Sequence, residues 1–454
     1  MKEKRSQQFA SPRILSLGFI IIIIIGTLLL MLPISSSSGQ STPLIDACFT
    51  AVSASCVTGL TTVDTATHWS AFGHTIILIL IQIGGLGFMT MAVLISLIIK
   101  KSISPKEQML IAASYNLNSY NGIRPLVKRI IIGTVSIEAI GAILLSFRFV
   151  SDFGFGSGIF KSIFHSVSAF CNAGFDILGV GNPSITSAAY YLEDPIVNLT
   201  FSGLIILGGI GFLVWGDIIN LAGKKHRRLS VYSKFVIIIT LALLLVGTVL
   251  FALFEWNNPL TLGKISNPLG KLMASFFQST TWRTAGFSFI NNGHFSQGSQ
   301  LLGLILMFIG GASGSTAGGV KVATFGILVY SVWCISTGKK HTKVFGRSIS
   351  ASSFSRATAV ISVQLGMIFI SALLINFFCD FAITDIIYET VSAVSTVGVT
   401  TGITPQVSNV AKVILLCLMY FGRVGILTIT YAIMNNQSSA AESISYPDAN
   451  MLIG

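Results

Sequence analysis

Four short stretches of the chain place small residues around a single glycine, and their residue types could bind an ion. The stretches are SASCVTGLTT (53–62), SAFCNAGFDI (168–177), STTWRTAGFS (279–288) and SAVSTVGVTT (392–401), with glycines at Gly59, Gly174, Gly286 and Gly398. In three of them a Val-Ser-Ala sequence starts seven residues before the glycine, at Val52, Val167 and Val391. The third copy has Ser279 in place of this valine. The recurrence predicts a fourfold internal repeat built around glycine-bearing bends.

The central residues of these stretches carry no charge, so an ion bound there must be held by backbone oxygen atoms. We call them the filter triplets: Val57-Thr58-Gly59, Asn172-Ala173-Gly174, Thr284-Ala285-Gly286 and Thr396-Val397-Gly398. Rings of backbone carbonyls can replace the hydration shell of K⁺, whereas acidic rings would be expected in a divalent-cation channel. Glycine is suited to such a bend because a Cβ resists the required backbone turn. The triplets therefore predict a filter for a monovalent cation.

Long apolar runs on either side of each triplet must position it. The chain has 454 residues, of which 52% are hydrophobic and only 10% charged, with a mean hydropathy of +0.80; soluble domains carry about 25% charged residues. The short segment before each triplet cannot cross about 30 Å of hydrocarbon, so it must enter and return. Four such helices would point the negative ends of their dipoles at the ion. The sequence predicts an all-α membrane protein with eight transmembrane helices in four pseudo-fourfold repeats. Each repeat has an outer helix, a re-entrant pore helix with its filter loop, and an inner helix.

Basic residues mark the boundaries of these repeats. Most Lys and Arg residues fall in the segments 1–13, 100–129, 224–234 and 339–356, between repeats. Because positive residues concentrate in cytoplasmic loops, both termini are expected in the cytoplasm, and the net charge of +12 does not imply a nucleic-acid partner. The predicted division is a cytoplasmic N-terminus (1–13), pore repeats (14–101, 124–223, 231–338 and 356–435) and a short cytoplasmic tail (436–454).

The individual helices follow from the apolar runs and from helix-start signals. A signal peptide is a competing interpretation of the run 14–33, but this run is longer than a 7–15-residue signal core. The expected flanking helices are 14–33, 72–99, 127–149, 195–222, 232–255, 300–335, 357–379 and 411–434. The expected short helices are 43–55, 159–171, one from Asn267-Pro268 to 281, and one from 385. Thr42, Asn267 and Thr384 are predicted N-caps.

A second glycine motif recurs in the inner helices, at 24 or 25 residues from the filter glycine in three repeats and at 34 in the second. GGLGF begins at Gly84, GGIGF at Gly208, GGASGS at Gly310 and GRVGI at Gly422, which is 25, 34, 24 and 24 residues after the filter glycine. Glycines are common in membrane helices because they allow close packing, but this does not account for the recurring offset. Two features in the same order four times indicate a fourfold repeat.

Gly310 to Lys321, which we call the glycine-rich loop, interrupts a predicted inner helix with five glycines, each costing about 1 kcal/mol relative to Ala. Tight helix packing is one interpretation. The other, which we favour, is a broken helix whose loop crosses the pore below the filter as a gate, held by Lys321. The residues of this gate loop are Gly310, Gly311, Ala312, Ser313, Gly314, Ser315, Thr316, Ala317, Gly318, Gly319 and Lys321.

Four charged residues of the predicted pore repeats are candidates for a role beside the filter or the ion path. Arg423 replaces the second glycine of its motif near mid-membrane, where a charge costs about 2.5–3.5 kcal/mol. It is either a structural brace or, as we favour, an electrostatic barrier beside the ion path. Arg283 is expected behind the filter as a brace, with Glu389 as its candidate partner. Glu138 has either a packing and hydrogen-bonding role or a coupling-ion role.

The filter triplets, the sequence GGASGSTAGGVK from Gly310 and the inner-helix Arg423 resemble the Trk/Ktr/HKT superfamily of potassium transporters, over about residues 14–434. Trk-type members have two further helices at the front, so the resemblance is to membrane subunits of the Ktr system, the KtrB type. It implies K⁺ uptake, usually stimulated by Na⁺, by a homodimer in the bacterial plasma membrane with one pore per subunit. It also implies a cytosolic nucleotide-binding regulatory ring of the KtrA type, supplied by another polypeptide. Serine at the position of Gly59 goes with Na⁺ preference in the superfamily, so Gly59 implies K⁺.

Other functional classes are less well supported by the residues. The glycine-rich loop lacks the GK[ST] ending of a nucleotide-binding loop, so no nucleotide is expected on this chain. No metal-ligating or nucleophile–base arrangement stands out, so an intramembrane enzyme is not expected. A strictly coupled secondary cation symporter remains the alternative, although such transporters often have inverted repeats and these repeats run parallel.

Overall fold

The computed structural model describes residues 2–87, 123–182, 185–223, 228–339 and 342–425. Within these ranges the regular secondary structure is helical apart from one two-stranded hairpin. The helices are α1 (Lys2–Leu30), α2 (Leu44–Ser55), α3 (Thr65–His68), α4 (Ala71–Leu86), α5 (Ile123–Phe153), α6 (Phe155–Phe170), α7 (Pro195–Gly209), α8 (Phe212–Ala222), α9 (Val231–Glu255), α10 (Pro268–Thr281), α11 (Gln297–Phe308), α12 (Val322–Ser336), α13 (Ala351–Phe378), α14 (Ile383–Val394) and α15 (Asn409–Val424). The strands are β1 (Lys343–Val344) and β2 (Arg347–Ser348), paired antiparallel. The hairpin was not expected from the sequence and lies in a basic segment between repeats.

Three helices in the described ranges are long and apolar enough to cross a membrane unaided: Val127–Phe153 within α5, together with α9 and α13. Only 28% to 33% of the most apolar window of each is buried inside the protein, so most of this apolar surface faces outward. Such a surface suits a hydrocarbon environment. The helices α7 and α8 qualify as a fourth span if the bent pair is taken together. The total of eight transmembrane helices stays a prediction.

The ends of the short helices agree only in part with the predicted caps. The Asn267 side chain accepts a hydrogen bond from the Leu269 N–H, and Pro268 is the first helical residue, as predicted. The prediction for Thr42 was wrong: α2 begins at Leu44 without a side-chain cap, and the Thr42 hydroxyl instead contacts His68 Nε2 at 3.0 Å. The prediction for Thr384 was also wrong, because α14 begins one residue earlier and Thr384 lies inside its first turn.

Two predicted inner helices are broken. The chain bends by 97° between α7 and α8, at Gly211, so the single helix predicted over 195–222 was wrong. Gly211 has a φ of 95°, which a residue with a Cβ rarely adopts, and Gly87 and Gly425 end α4 and α15 with similar angles. The second break, between α11 and α12, coincides with the glycine-rich loop. The ends of the predicted helices 72–99 and 411–434, the tail, and the basic residues at 100–122 and 224–227 lie outside the described residues.

The short helices are packed in a closed cycle. Each inner helix contacts the short helix of the next repeat, and the last contacts the first: α4 on α6, α7 on α10, α11 on α14, and α15 on α2. Two large clusters of buried apolar side chains fill the space between these helices and the flanking ones. The four filter triplets therefore emerge from helices that enclose a common centre.

Candidate functional site

The short helices of the four repeats all end in a left-handed backbone turn just before the filter glycine. In the first repeat the Val57 N–H donates to the Ala54 carbonyl (3.2 Å) and the Thr58 N–H to the Ser53 carbonyl (2.8 Å). This is a Schellman motif, whose left-handed position is usually glycine. Here it is occupied by a residue with a side chain in every repeat: Val57 (φ 57°), Asn172 (φ 59°), Thr284 (φ 65°) and Thr396 (φ 50°). Left-handed β-branched residues are strained, and such strain clusters at functional sites.

The third repeat departs from this geometry. The second and fourth repeats make the same pair of bonds as the first, but the Ala285 N–H bonds the Thr281 carbonyl (3.0 Å), one residue closer along the chain. The difference matches the departure of its sequence, where Ser279 stands in place of the valine. The backbone turn at Thr284 is nevertheless preserved.

The four filter glycines close a ring of backbone contacts. A Cβ built on Gly59 would lie 2.6 Å from the Ala173 carbonyl oxygen, and one on Gly174 would lie 2.8 Å from that of Ala285. The cycle continues from Gly286 to Val397 O (2.6 Å) and closes from Gly398 to Thr58 O (1.9 Å). Each partner is the residue just before the next glycine, so the four triplets meet at one level. Only glycine fits at these four positions.

The first glycine of the inner-helix motif meets the end of the short helix in three of the four repeats. A Cβ on Gly84, Gly208 or Gly422 would lie 2.1, 1.9 or 2.1 Å from a carbonyl oxygen at the end of the short helix in the same repeat. Those carbonyls belong to Ser55, Phe170 and Val394, each four residues before its filter glycine. The third repeat departs again, since Gly310 meets Gly318 of the glycine-rich loop instead. Inner helix and short helix are thus in direct backbone contact.

The glycine-rich loop contacts the ends of the second and fourth short helices. The Thr316 hydroxyl donates to the Phe170 carbonyl (3.0 Å), while a Cβ on Gly318 would collide with Thr396 Oγ1. The Ala312 N–H donates to the Gly209 carbonyl (2.9 Å), and Phe212 N–H bonds the Gly314 carbonyl (2.8 Å). The loop therefore reaches from one side of the filter to the other, next to the carbonyl ends of the short helices.

Two cationic side chains hold this loop through its carbonyl oxygens. The guanidinium of Arg423 donates to the carbonyl of Thr316 and to those of Gly84 and Gly85 in the first inner helix. Lys321 Nζ donates to the Ala317 carbonyl at 2.7 Å. These contacts fit the interpretation of Arg423 as a structural brace, and its role as an electrostatic barrier stays a prediction.

Arg283 and Glu389 do not form the pair suggested by the sequence. Arg283 donates to the Gly310 carbonyl (3.0 Å) and the Thr240 carbonyl (3.4 Å), behind its own filter triplet. Glu389 accepts from the Thr400 hydroxyl, the Thr401 N–H and the Thr404 hydroxyl. The expectation that Glu389 is the partner of Arg283 is corrected, because each bonds polar groups nearer in its own repeat, although Arg283 Nε has no partner among the described residues.

Glu138 lies in a small buried polar cluster behind the second short helix. Gln82 Nε2 donates to its carboxylate at 3.3 Å, and Cys171 Sγ lies 3.9 Å away. The contacts fit the packing and hydrogen-bonding role. Within the described residues no group of three His, Cys, Asp or Glu side chains could hold a metal ion.

A buried pair beside the second triplet was not expected from the sequence. His165 on α6 is fully buried, and its Nε2 lies 3.0 Å from Asp176 Oδ1, just beyond Gly174. Desolvation alone would raise the pKa of Asp176, but the contact with His165 and two backbone N–H groups hold this pKa below its usual value. No repeated residue type marks this position, so only the structure reveals it.

Outward apolar surfaces around a central ring of backbone groups are typical of a membrane transport protein. The chain belongs to the TrkH family, described as cation transport protein, whose model matches residues 10–443. It is 41% identical to the Ktr system potassium uptake protein B of Bacillus subtilis, over 98% of this chain and 97% of that protein. It is 38% identical to the potassium/sodium uptake protein NtpJ of Enterococcus hirae, over 100% and 99%. The solved structure of the potassium transporter TrkH from Vibrio parahaemolyticus has the same fold, with a TM-score of 0.67 at 20% identity, covering 92% of this chain and 84% of that one.

Proposed function

We propose that this chain is the membrane subunit of a K⁺ uptake system and that K⁺ passes through the four filter triplets. The observation that carries the proposal is the closed ring formed by the filter glycines with the carbonyls of Thr58, Ala173, Ala285 and Val397. Four helix C-termini around this ring favour a cation, and backbone carbonyls can take the place of its hydration shell. The similarity to two proteins named for potassium uptake supports K⁺ as the cargo.

The proposed setting is a bacterial plasma membrane crossed eight times, with both termini in the cytoplasm. The outward apolar faces of α5, α9 and α13 support membrane insertion. The placement of Lys and Arg between the repeats supports the orientation. In this arrangement the glycine-rich loop faces the cytoplasmic side of the ring, because it lies against the ends of the inner helices that lead to the basic segments.

The proposed gate is the glycine-rich loop, with Arg423 as an electrostatic barrier and Arg283 and Glu389 as braces of the filter. The contact from Arg423 to Thr316 supports this role, because its loss would free the loop and remove a positive charge from the path. A loop held by side-chain donors to carbonyls can be released without unfolding a helix. In this proposal, movement of the loop sets the rate of K⁺ flux.

Na⁺ stimulation, a homodimer and a KtrA-like nucleotide-binding regulatory subunit are parts of the same proposal. Their support is the similarity to proteins named for a Ktr system and, for Na⁺, to one named for potassium and sodium uptake. The chain itself is proposed to bind no nucleotide, since its glycine-rich loop lacks a phosphate-binding ending and packs against the filter.

The test is K⁺ flux in liposomes holding the purified chain, measured with K⁺, Rb⁺ or Na⁺ as the only alkali ion. We expect K⁺ and Rb⁺ flux well above Na⁺ flux, with turnover far beyond the ~10³ s⁻¹ of enzyme-like cycles. Slower flux that requires a Na⁺ gradient would indicate the strictly coupled symporter instead. Equal flux of the three ions in inserted protein would contradict a carbonyl filter.

A further inference from the structure

The segments just outside the filter glycines are held by side chains at one recurring position of the short helices. We call the four residues after each glycine the outer arm: 60–63, 175–178, 287–290 and 399–402. The position nine residues before the glycine is Thr50, His165, Phe277 and Glu389 in the four repeats. These four residue types share no chemistry, so the sequence pattern alone does not connect them.

The second and fourth repeats make the same two contacts with different residues. His165 Nε2 lies 3.0 Å from Asp176 Oδ1 and 3.2 Å from the next backbone nitrogen, that of Ile177, and this ring nitrogen bonds one of the two at a time. Glu389 accepts from the Thr400 hydroxyl and from the next N–H, that of Thr401, at 3.2 Å. In both repeats the partners are thus the second and third residues after the filter glycine. One repeat places the acid on the arm, and the other places it on the helix.

In the third repeat, aromatic rings make the contact between the short helix and the outer arm. Phe277 stacks on Phe289, the third residue after Gly286, with ring centroids 3.9 Å apart. Phe201 of α7 packs against Phe289 and also against His165, at centroid distances of 5.7 and 5.9 Å. The second and third arms are therefore joined through one continuous buried contact.

The third and fourth arms are also connected, whereas the first arm is not braced at this position. Asn292 Nδ2, two residues beyond the third arm, donates to the Ser288 hydroxyl of that arm and to the carbonyl of Thr400, whose hydroxyl donates to Glu389. In the first repeat the Thr50 hydroxyl donates within its own helix, to the Asp46 carbonyl at 2.9 Å. The Thr62 hydroxyl of the first arm is buried without a partner among the described residues.

We infer that His165 and Glu389 are positioning residues that set ion discrimination by fixing the outer arms of the second and fourth filter triplets. The inference rests on the proposed function, because it assumes that the ion passes through the triplets. His165 and Glu389 are 0% and 1% exposed, so each must keep its polar partners to stay buried. Since the arm begins one residue beyond the glycine, a shift of the arm moves the carbonyl ring directly.

The test exchanges the chemistry of one brace for that of the other. His165→Glu alone places two acids together, and Asp176→Thr alone removes the acid that faces the histidine. The double variant H165E/D176T recreates in the second repeat the Glu and Thr of the fourth. We expect each single variant to lower the ratio of K⁺ to Na⁺ flux in liposomes by about tenfold, the loss of about one hydrogen bond. The double variant is expected to recover most of this ratio, which a general packing defect would not do.

Two further variants keep the test decisive if the first set inserts poorly. Glu389→Ala is expected to lower the ratio in the same way, whereas Glu389→Gln keeps an acceptor for the Thr401 N–H and is expected to retain most of it. Thr50→Val is the matched control, because it occupies the same helix position without touching its arm, and its ratio is expected to equal that of the unmodified chain.

All ratios are compared at equal amounts of inserted, monodisperse protein. Unchanged ratios in the His165 and Glu389 variants would overturn the inference while leaving K⁺ transport intact. A double variant no better than its single variants, or an equal loss in Thr50→Val, would also overturn it. If the unmodified chain itself showed no preference for K⁺, the proposed function would fail instead.

Discussion

The two sides of the glycine ring are held by different kinds of contact. On the outer side, buried side chains meet the arms, as Glu389 meets Thr400 and Phe277 meets Phe289. On the inner side, the long cationic side chains of Arg423 and Lys321 reach carbonyl oxygens of a loop that contains five glycines. The outer contacts join side chains to the arms, whereas the inner contacts are hydrogen bonds to carbonyl oxygens, and two of the cationic donors among them, Arg423 and Lys321, have flexible side chains.

This difference predicts that ion selectivity depends on the outer side of the ring and that the rate of flux depends on the inner side. Interiors are close-packed and resist small displacements, so the braced outer arms should keep the carbonyl ring at one size. A glycine-rich segment has low intrinsic order, and the bonds from Arg423 and Lys321 can be exchanged for water. Changes on the outer side should therefore alter which ion passes, and changes on the inner side should alter how fast it passes.

The largest effect is expected in the ring itself, where the two sides meet. Gly398→Ala would place a Cβ 1.9 Å from the Thr58 carbonyl oxygen at a φ of 95°. We expect K⁺ flux in liposomes to fall by about 100-fold, as for other sites displaced by about 1 Å. Gly39→Ala is the control, because Gly39 also has a positive φ (70°) but no atom within 4 Å of its Cβ position. Near-normal flux in Gly398→Ala would mean that the ring is not the ion path.

The next effect separates rate from selectivity on the inner side. Arg423→Ala removes the contact with Thr316 and a positive charge near the triplets. We expect K⁺ flux to rise about tenfold, the result of removing a barrier of about 1.4 kcal/mol. The ratio of K⁺ to Na⁺ flux should stay unchanged. Arg423→Lys keeps the positive charge but cannot donate from two nitrogens as a guanidinium does. Its K⁺ flux should therefore lie between those of the unmodified chain and of Arg423→Ala. Unchanged or lower flux in inserted Arg423→Ala protein would contradict the gate.

The sequence was sufficient for the features that depend on glycine and on apolar length. The glycine-rich loop was predicted to break its helix, and α11 does end at Phe308. The offset between filter and inner-helix glycines identified positions that must touch, although the contact of Gly84 with Ser55 could be seen only in the structure. Glycine is informative because the absence of a Cβ serves two main purposes, close approach of another group or a left-handed backbone turn.

Features that depend on pairs of unlike residues were not predictable. The left-handed turn at Val57 contradicts the preference of a β-branched residue, because the tertiary contacts of the ring override it. The break at Gly211 depends on a bond from Phe212 to the distant Gly314. Likewise, His165 and Asp176 are recognised as a brace only when their equivalence to Glu389 and Thr400 is seen in space. The residue type at a single position does not reveal that two pairs of different residues occupy equivalent places.

The smallest effect tests whether every contact on the outer side influences selectivity. Lys412 on α15 lies 3.0 Å from Asp46 on α2 and so joins the fourth repeat to the first, but neither residue touches an arm. Lys412→Met leaves Asp46 partly buried without its cation, and its position in the first turn of α2 compensates only in part. We expect a loss of about 1–2 kcal/mol of stability, between an exposed and a buried pair, seen as a lower melting temperature in detergent.

The control for this pair is the double variant D46N/K412M, which should recover part of the stability because no unpaired charge remains. Both variants should keep the K⁺ to Na⁺ flux ratio of the unmodified chain, since the arms stay in place. A changed ratio would mean that the ring responds to any loosening of the outer side. Selectivity would then belong to the whole cycle of packed helices, and the distinction between braced arms and ordinary outer contacts would have to be abandoned.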